Sequence, residues 1–168
     1  ITLVVSEKNM ESFKEITSKK NIQKQINFGV GDDTYRQVSL ANGFASLKVD
    51  ENDIIVTLDG DRPFVSNSLI NTSIDVAKQM GFSSAALPLH DSVINFTNYE
   101  DRQNFNLIQT PQSFVAKHFD KNFDKEKSDL ISCMGWKLKM QNLFPGSPLN
   151  FKITTQEDFE MAQQIALK

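Results

Sequence analysis

The fold is decided by residues 53–81, which read DIIVTLDGDRPFVSNSLINTSIDVAKQMG. The β-branched apolar run at the start predicts a buried strand, and the turn-like Asp59-Gly60-Asp61 ends it. A helix follows with Ser66 or Ser68 as its N-cap, and Gly81 closes it in the left-handed conformation that glycine favours. One face of this helix is apolar and carries Leu69, Ile70, Ile74, Ala77 and Met80. The stretch therefore predicts a strand, a turn and an amphipathic helix in succession.

Strand and helix patterns alternate outward from this stretch. Before this stretch, the pattern predicts a strand at Ile1 to Val5 and a helix over Met10, Phe13 and Ile16 with Ser6 as N-cap. After it, the pattern predicts a strand at Ser84 to Leu89 and a short helix at Gln112 to Phe119. Towards the carboxyl end it predicts one strand over Leu138 and Met140, another over Leu149, Phe151 and Ile153, and a last helix opened by Thr155 and Asp158. Buried runs separated by helices favour an α/β layered fold with a mainly parallel sheet. No linker or low-complexity stretch divides residues 1–168, which predicts one domain.

Composition excludes several classes of protein. With 39% hydrophobic and 23% charged residues among 168, the chain is typical of a soluble globular domain, and its net charge of −3 offers no broad positive field for nucleic acid or a membrane surface. The single cysteine, Cys133, excludes an intrachain disulfide and a cysteine zinc cluster. No apolar run reaches the roughly 18 residues of a membrane helix and no signal peptide is visible, so the cytoplasm is the predicted location.

Three motifs, taken in chain order, resemble the signature of one enzyme family. They are Leu58-Asp59-Gly60-Asp61-Arg62-Pro63-Phe64, then Asp101-Arg102 followed by Gln109-Thr110-Pro111-Gln112-Ser113-Phe114, then Leu149-Asn150-Phe151-Lys152-Ile153-Thr154-Thr155. The chain resembles the cytidylyltransferases of 2-C-methyl-D-erythritol 4-phosphate and ribitol 5-phosphate. That resemblance implies a three-layer, Rossmann-like fold of the nucleotide-diphospho-sugar transferase type, with a protruding β-arm at about residues 92–110.

The resemblance also implies a reaction. The acceptor's phosphate oxygen attacks the α-phosphorus of CTP and pyrophosphate leaves. Because both reactants are polyanions, the reaction needs alignment and charge neutralisation, with Mg²⁺ or another divalent cation bridging the phosphates. The favoured acceptor is 2-C-methyl-D-erythritol 4-phosphate and ribitol 5-phosphate is a close second. Isoprenoid precursor synthesis and wall or capsule (teichoic acid) synthesis therefore both stay open.

Residues of these motifs take their roles from the resemblance. Asp59 would hold Mg²⁺ and bind the nucleotide, Lys152 would stabilise charge on the α-phosphate, and Arg62 would position the substrate. Their plainer interpretations are a turn carboxylate, a solvent-facing strand lysine and an ordinary salt bridge. The further predicted contacts are Arg102 and Thr110 to the acceptor's phosphate, Ser92 to the acceptor and Ser39 to the cytidine. In the family the arm crosses to a neighbouring subunit, which implies a homodimer with a shared active site.

The sequence departs from the family pattern at several places. Asp61 stands where the family usually has a small residue and is interpreted as a solvated turn residue, with an acid that acts through a neighbouring site residue as the alternative. Asp32 and Asp33 fall where a glycine pair is expected, and the family's Thr-Asp pair falls on Lys125-Glu126 without a gap or on Ser128-Asp129 with one. The family also begins with a further stretch that includes a glycine-rich loop bearing an arginine and a lysine. Residues 1–168 alone are therefore expected to bind CTP poorly and to turn over negligibly, and a non-catalytic binding or dimerisation module is the alternative.

Overall fold

The computed structural model describes residues 1–120, 122–127 and 129–167. It comprises two compact units. One consists of Ile1–Asp50 and Phe119–Leu138, and the other of Glu51–His118 and Lys139–Lys168. Ser128, a candidate for the family's Thr-Asp position, lies outside the described residues.

The first unit is built on a pair of parallel strands. Its elements, numbered in chain order over the whole protein, are β1 (Thr2–Val5), α1 (Met10–Ser18), β2 (Asn27–Val30), α2 (Arg36–Ala45) and α4 (Leu130–Cys133). Strand β1 pairs with β2, and Gly43 of α2 allows a close approach to β1, since a Cβ there would lie 2.6 Å from Val4 Cγ2. The predicted N-cap at Ser6 is wrong in detail, because a 3₁₀ turn at Glu7–Asn9 precedes α1 and the Ser6 side chain makes no capping hydrogen bond.

The second unit contains a four-stranded sheet. Its strands are β3 (Ile54–Thr57), β4 (Phe82–Pro88), β7 (Asn106–Val115) and β8 (Leu143–Pro145), in the order β3-β7-β4-β8. Strand β7 is antiparallel to both β3 and β4, whereas β8 is parallel to β4. Strands β3, β4 and β8 therefore run in one direction with β7 opposed, and the predicted mainly parallel sheet of an α/β fold is confirmed.

Helix α3 (Asn67–Met80) connects β3 to β4 as the opening stretch predicts. The Ser66 hydroxyl accepts a hydrogen bond from the Leu69 amide at 3.2 Å, so Ser66 rather than Ser68 is the N-cap. Gly81 follows the helix with φ at 86°, a region that L side chains rarely adopt. Leu69 packs into the core cluster of this unit with Ala85 and Phe144.

The predicted short helix at Gln112 to Phe119 is wrong. Residues 106–115 form β7, and only Ala116–His118 turn into a 3₁₀ helix. Strand β7 lies between β3 and β4, and residues 109–116 are all buried, so the period-2 alternation that identifies a half-exposed strand is absent. The pairing with β4 passes from Ser84–Gln112 to Ala85–Gln109, which leaves Thr110 and Pro111 in a bulge.

The strands predicted near the carboxyl terminus are also misplaced. Met140–Asn142 is a 3₁₀ turn, β8 follows it at Leu143–Pro145, and residues 146–155 contain neither helix nor strand. The alternating pattern of Leu149, Phe151 and Ile153 instead belongs to this loop. The last helix, α5 (Gln156–Ala166), begins as predicted with a capping box formed by Thr155 and Asp158.

The predicted arm contains a β-hairpin. Strands β5 (Val93–Asn95) and β6 (Asn98–Glu100) pair only with each other as a separate two-stranded sheet in the described structure. Phe96 lies at its tip with φ at 55° and a side chain that is 96% exposed. Across the described residues, none of the helices combines the length and the apolar character that a membrane crossing requires.

Candidate active site

Asp59 and Arg62 form a nearly buried ion pair just beyond the end of β3. The Arg62 Nε donates to Asp59 Oδ2 at 3.2 Å, and each side chain is 11% exposed. Arg62 Nη1 also donates to the main-chain oxygen of Asn150 at 2.8 Å. The guanidinium therefore links the turn after β3 to the loop after β8. This is the salt bridge that the plainer interpretation of Arg62 expects. A contact between Arg62 and substrate stays a prediction.

Asn150 and Gln109 hold this loop against the bulge of β7. Asn150 Nδ2 donates to the main-chain oxygen of Thr110 at 2.7 Å and to Gln109 Oε1 at 3.2 Å. Gln109 Nε2 returns a hydrogen bond to the Asn150 carbonyl at 3.2 Å, and its Oε1 also accepts from the Ser147 amide at 3.2 Å. Sequence reasoning assigned no role to these two amides, although both lie within the motifs that carry the resemblance.

Thr110 lies in the same network. Its Oγ1 accepts a hydrogen bond from the Asp59 amide at 3.0 Å, and the residue is 4% exposed. The bulge in β7 and the turn after β3 are thereby joined directly. The structure brings Asp59, Arg62 and Thr110 together at one end of the sheet, where the carboxyl end of β3 lies.

Lys152 makes an ion pair that the sequence did not predict. Its Nζ lies 3.2 Å from Asp61 Oδ2, and the two side chains are 39% and 41% exposed. The Ile153 amide donates to the Asp61 carbonyl at 2.9 Å, so the main chains also meet at this point. Of the two interpretations of Asp61, this ion pair favours an acid that acts through a neighbouring site residue, because its carboxylate contacts the lysine that was predicted to bind phosphate.

The other two predicted acceptor contacts lie near the hairpin. Arg102 follows β6 in a 3₁₀ turn, and its Nη1 donates to the His90 carbonyl. Ser92 directly precedes β5 and is exposed. Arg102 is thus held at the base of the hairpin by the segment that precedes Ser92.

Ser39 belongs to the first unit, on helix α2. Its hydroxyl accepts from the Asp32 amide at 2.8 Å and so closes the loop between β2 and α2. The backbone amides of Tyr35 and Thr34 donate to the Asp32 carboxylate and hold its pKa below the usual value. Asp32 is therefore a loop-closing carboxylate that makes these hydrogen bonds within its own turn.

The ambiguous match to the family's Thr-Asp pair has a structural counterpart. Asp129 is the N-cap of α4 and accepts from the amides of Ile131 and Ser132 at 2.9 and 3.2 Å. Lys125 lies in a turn, with its Nζ 4.6 Å from the centre of the Tyr35 ring. Only Asp129 opens a helix, which favours the gapped match.

Carboxylate oxygens are the protein ligands that a divalent cation would use at this site. Within the described ranges, no group of three or more His, Cys, Asp and Glu side chains could hold a metal ion by itself. Mg²⁺ at nucleotide sites is usually held by one or two carboxylates together with phosphate oxygens and water. Asp59 offers a hard carboxylate oxygen at the strand end, so its chemistry fits that mode rather than a protein-only cage.

Known proteins identify the family. The sequence profile of IspD, 2-C-methyl-D-erythritol 4-phosphate cytidylyltransferase, matches residues 1–168. The chain belongs to this family. The family member from Clostridium tetani is 30% identical over all of this chain and 72% of its own length, and one from Dehalococcoides mccartyi is 32% identical over all of this chain and 77% of its own.

Solved structures agree with this assignment. The crystal structure of 4-diphosphocytidyl-2C-methyl-D-erythritol synthase from Anaerococcus prevotii superposes with a TM-score of 0.81 at 25% identity, covering all of this chain and 81% of that one. The predicted family, enzyme class and fold class are therefore confirmed. The roles of the individual site residues remain predictions.

Proposed function

We propose that this protein transfers CMP from CTP to 2-C-methyl-D-erythritol 4-phosphate and releases pyrophosphate. The observation that carries the proposal is the joining of Asp59, Arg62 and Thr110 at one end of the sheet, with Lys152 on the adjoining loop. These are the residues that match the family's motifs. The names of the relatives favour this acceptor over ribitol 5-phosphate. The proposed location is the cytoplasm, where CTP is available.

Charge neutralisation is the proposed mechanism. The Asp59 carboxylate would hold Mg²⁺, which supplies positive charge to the phosphates when it is bound. Lys152 would place its ammonium beside the α-phosphate, where negative charge increases as the acceptor attacks. Arg62 would keep Asp59 and the loop at Asn150 in position, because its two hydrogen bonds reach both. None of these groups forms a covalent intermediate in this proposal.

Arg102, Thr110 and Ser92 are proposed to bind the acceptor. A guanidinium presents a planar fork of donors that suits a phosphate. The Thr110 Oγ1 accepts from the Asp59 amide, so its own proton is available to donate to a ligand oxygen. This arrangement would place the acceptor on the β7 side of Asp59.

A homodimer is also proposed, with the arm as the interface. The hairpin exposes Ile94 (61%), Phe96 (96%) and Tyr99 (83%), a run of large apolar and aromatic side chains that a second copy would cover. Phe96→Ser should shift the sedimentation coefficient from dimer to monomer. Met140→Ser, at a 77% exposed methionine outside the hairpin, is the control. A wild-type protein that sediments as a monomer would contradict the proposal.

The reaction is tested by pyrophosphate release from CTP and Mg²⁺ with the full-length gene product. The assay is run in parallel with 2-C-methyl-D-erythritol 4-phosphate and ribitol 5-phosphate. Lys152→Ala should abolish release, whereas Lys139→Ala, at an exposed lysine on a different segment, should not. Release with ribitol 5-phosphate alone would reject the proposed acceptor. No release with either would favour the non-catalytic binding or dimerisation module.

A further inference from the structure

The ion pair between Lys152 and Asp61 places a carboxylate on the ammonium that is proposed to meet the nucleotide. The Nζ–Oδ2 distance is 3.2 Å, and the hydrogen bond from the Ile153 amide to the Asp61 carbonyl keeps the two chain segments adjacent. The turn that carries Asp61 is itself anchored, because the neighbouring Arg62 is bonded to Asp59 and to Asn150. A main-chain hydrogen bond and the Arg62 guanidinium therefore both support the contact.

The carboxylate of Asp61 is also incompletely satisfied. Its Oδ1 is buried and, among the described residues, has no hydrogen-bond donor, so the contact of Oδ2 with Lys152 compensates the charge of the carboxylate. Each side chain is about two-fifths exposed, which allows a ligand to reach the ammonium. A phosphate that approaches Lys152 must therefore displace this carboxylate or lie beside it, and two like charges at that distance repel.

We propose that Asp61 is an internal competitor for the Lys152 ammonium and thereby weakens the affinity of this protein for CTP. The proposal rests on the proposed function, since it takes Lys152 as a phosphate-binding group. Before CTP binds, the carboxylate neutralises Lys152. When CTP binds, its phosphate replaces the carboxylate as the partner of the ammonium, and the Asp61 charge becomes an unfavourable neighbour. A small uncharged residue at this position would leave the ammonium unopposed.

The test is the dissociation constant of CTP, measured by titration calorimetry on the full-length gene product with and without Mg²⁺. Asp61→Ala and the isosteric Asp61→Asn should each tighten binding by about two- to fivefold, the range expected from an exposed ion pair. Asp61→Glu keeps the charge and should change little. The gain should shrink as ionic strength rises, because salt screens partly exposed charges. It should also vanish in the Lys152→Ala background, because no ammonium is left to compete for.

Each outcome decides the proposal. Unchanged or weaker CTP binding by both neutral variants would overturn it, and weaker binding only with Mg²⁺ would assign Asp61 to the cation instead. A gain that persists in Lys152→Ala would show that Asp61 acts without that lysine, which also overturns it. Thermal unfolding shows whether each variant is folded. If either Asp61→Ala or Asp61→Asn fails to fold, the other still tests the proposal. Binding is measured apart from turnover, so a protein that binds CTP as expected but releases no pyrophosphate rejects the proposed function alone.

Discussion

The side-chain amide of Asn150 donates a 2.7 Å hydrogen bond to the main-chain oxygen of Thr110 and so fastens the loop after β8 to the bulge of β7. Asn150 has 0% of its surface exposed, and Gln109 bonds to both its side chain and its carbonyl. The loop at residues 146–155 has no helix or strand of its own. Side-chain amides are therefore among the groups that hold this loop in position.

Asn150→Asp should lower the free energy of unfolding by about 1–3 kcal/mol. The substitution replaces an amide that donates to the Thr110 carbonyl and to Gln109 Oε1 with a carboxylate oxygen that cannot donate to either. Urea unfolding measures the loss. Asn71→Asp, at an exposed position of α3, is the matched control and should change stability by less than about 1 kcal/mol. Equal losses in the two variants would show that the Asn150 network contributes no net stability.

Arg62→Lys should lower stability by about 1–2 kcal/mol, since an ammonium cannot bond to both Asp59 and the Asn150 carbonyl with the geometry of a guanidinium. Lys78→Ala supplies the contrast. Lys78 and Asp75 have the same three-residue spacing, but their side chains are 61% and 68% exposed, so that loss should stay below about 1 kcal/mol. Chemical denaturation of both variants is the measurement, and an Arg62→Lys protein as stable as wild type would contradict it.

The sequence predicts the fold best where local chemistry alone decides it. Ser66 caps α3, Gly81 ends it at positive φ and Thr155 with Asp158 opens α5, all from contacts within a few residues. Strand β7 is mispredicted because its identity depends on two neighbouring strands that are distant in the chain. Tertiary pairing and burial on both sides there override the local pattern.

The candidate site is predicted only in part for the same reason. Motif resemblance selected Asp59, Arg62, Thr110 and Lys152. In the structure Asp59 contacts both Arg62 and Thr110. The pair between Asp61 and Lys152 joins residues 91 positions apart, and nothing in either local pattern indicates that the two segments meet. Such a pairing becomes visible only when the loop after β8 is placed against the turn after β3.

Acid should weaken the contribution of Asp158 to stability. The amide and hydroxyl of Thr154 and the amide of Thr155 donate to its carboxylate and hold the pKa of Asp158 below its usual value of 3.8. Because the folded pKa is the lower one, the stabilisation is present above pH 3.8 and is lost as the pH falls through the folded pKa. The difference in Tm between wild type and Asp158→Asn should therefore shrink below that pH. A difference that stays constant from pH 6 to pH 2.5 would contradict this.

Cys133 should be unreactive in the folded protein. Burial, with a further contribution from the charge of Asp129, raises the pKa of its thiol to about 11, and the residue is 3% exposed. At pH 8 only about one thiol in a thousand would be ionised. Maleimide labelling should therefore be slow in buffer and fast in urea, with mass spectrometry as the readout. Rapid labelling of the native protein would show that α4 opens readily.

Separate hydrogen bonds hold residues 146–155, among them those of the Gln109 and Asn150 amides, and this has a consequence for native-state dynamics. A segment without a ladder of main-chain pairing can detach while the sheet beside it stays intact, so its opening is a subglobal event. Because Lys152 lies on that segment and Asp59 lies just beyond the end of β3, such an opening would separate the two charges that the proposed mechanism uses. Moderate denaturant should then inactivate the protein before the core melts, with amide exchange at Ile153 faster than in the paired strands.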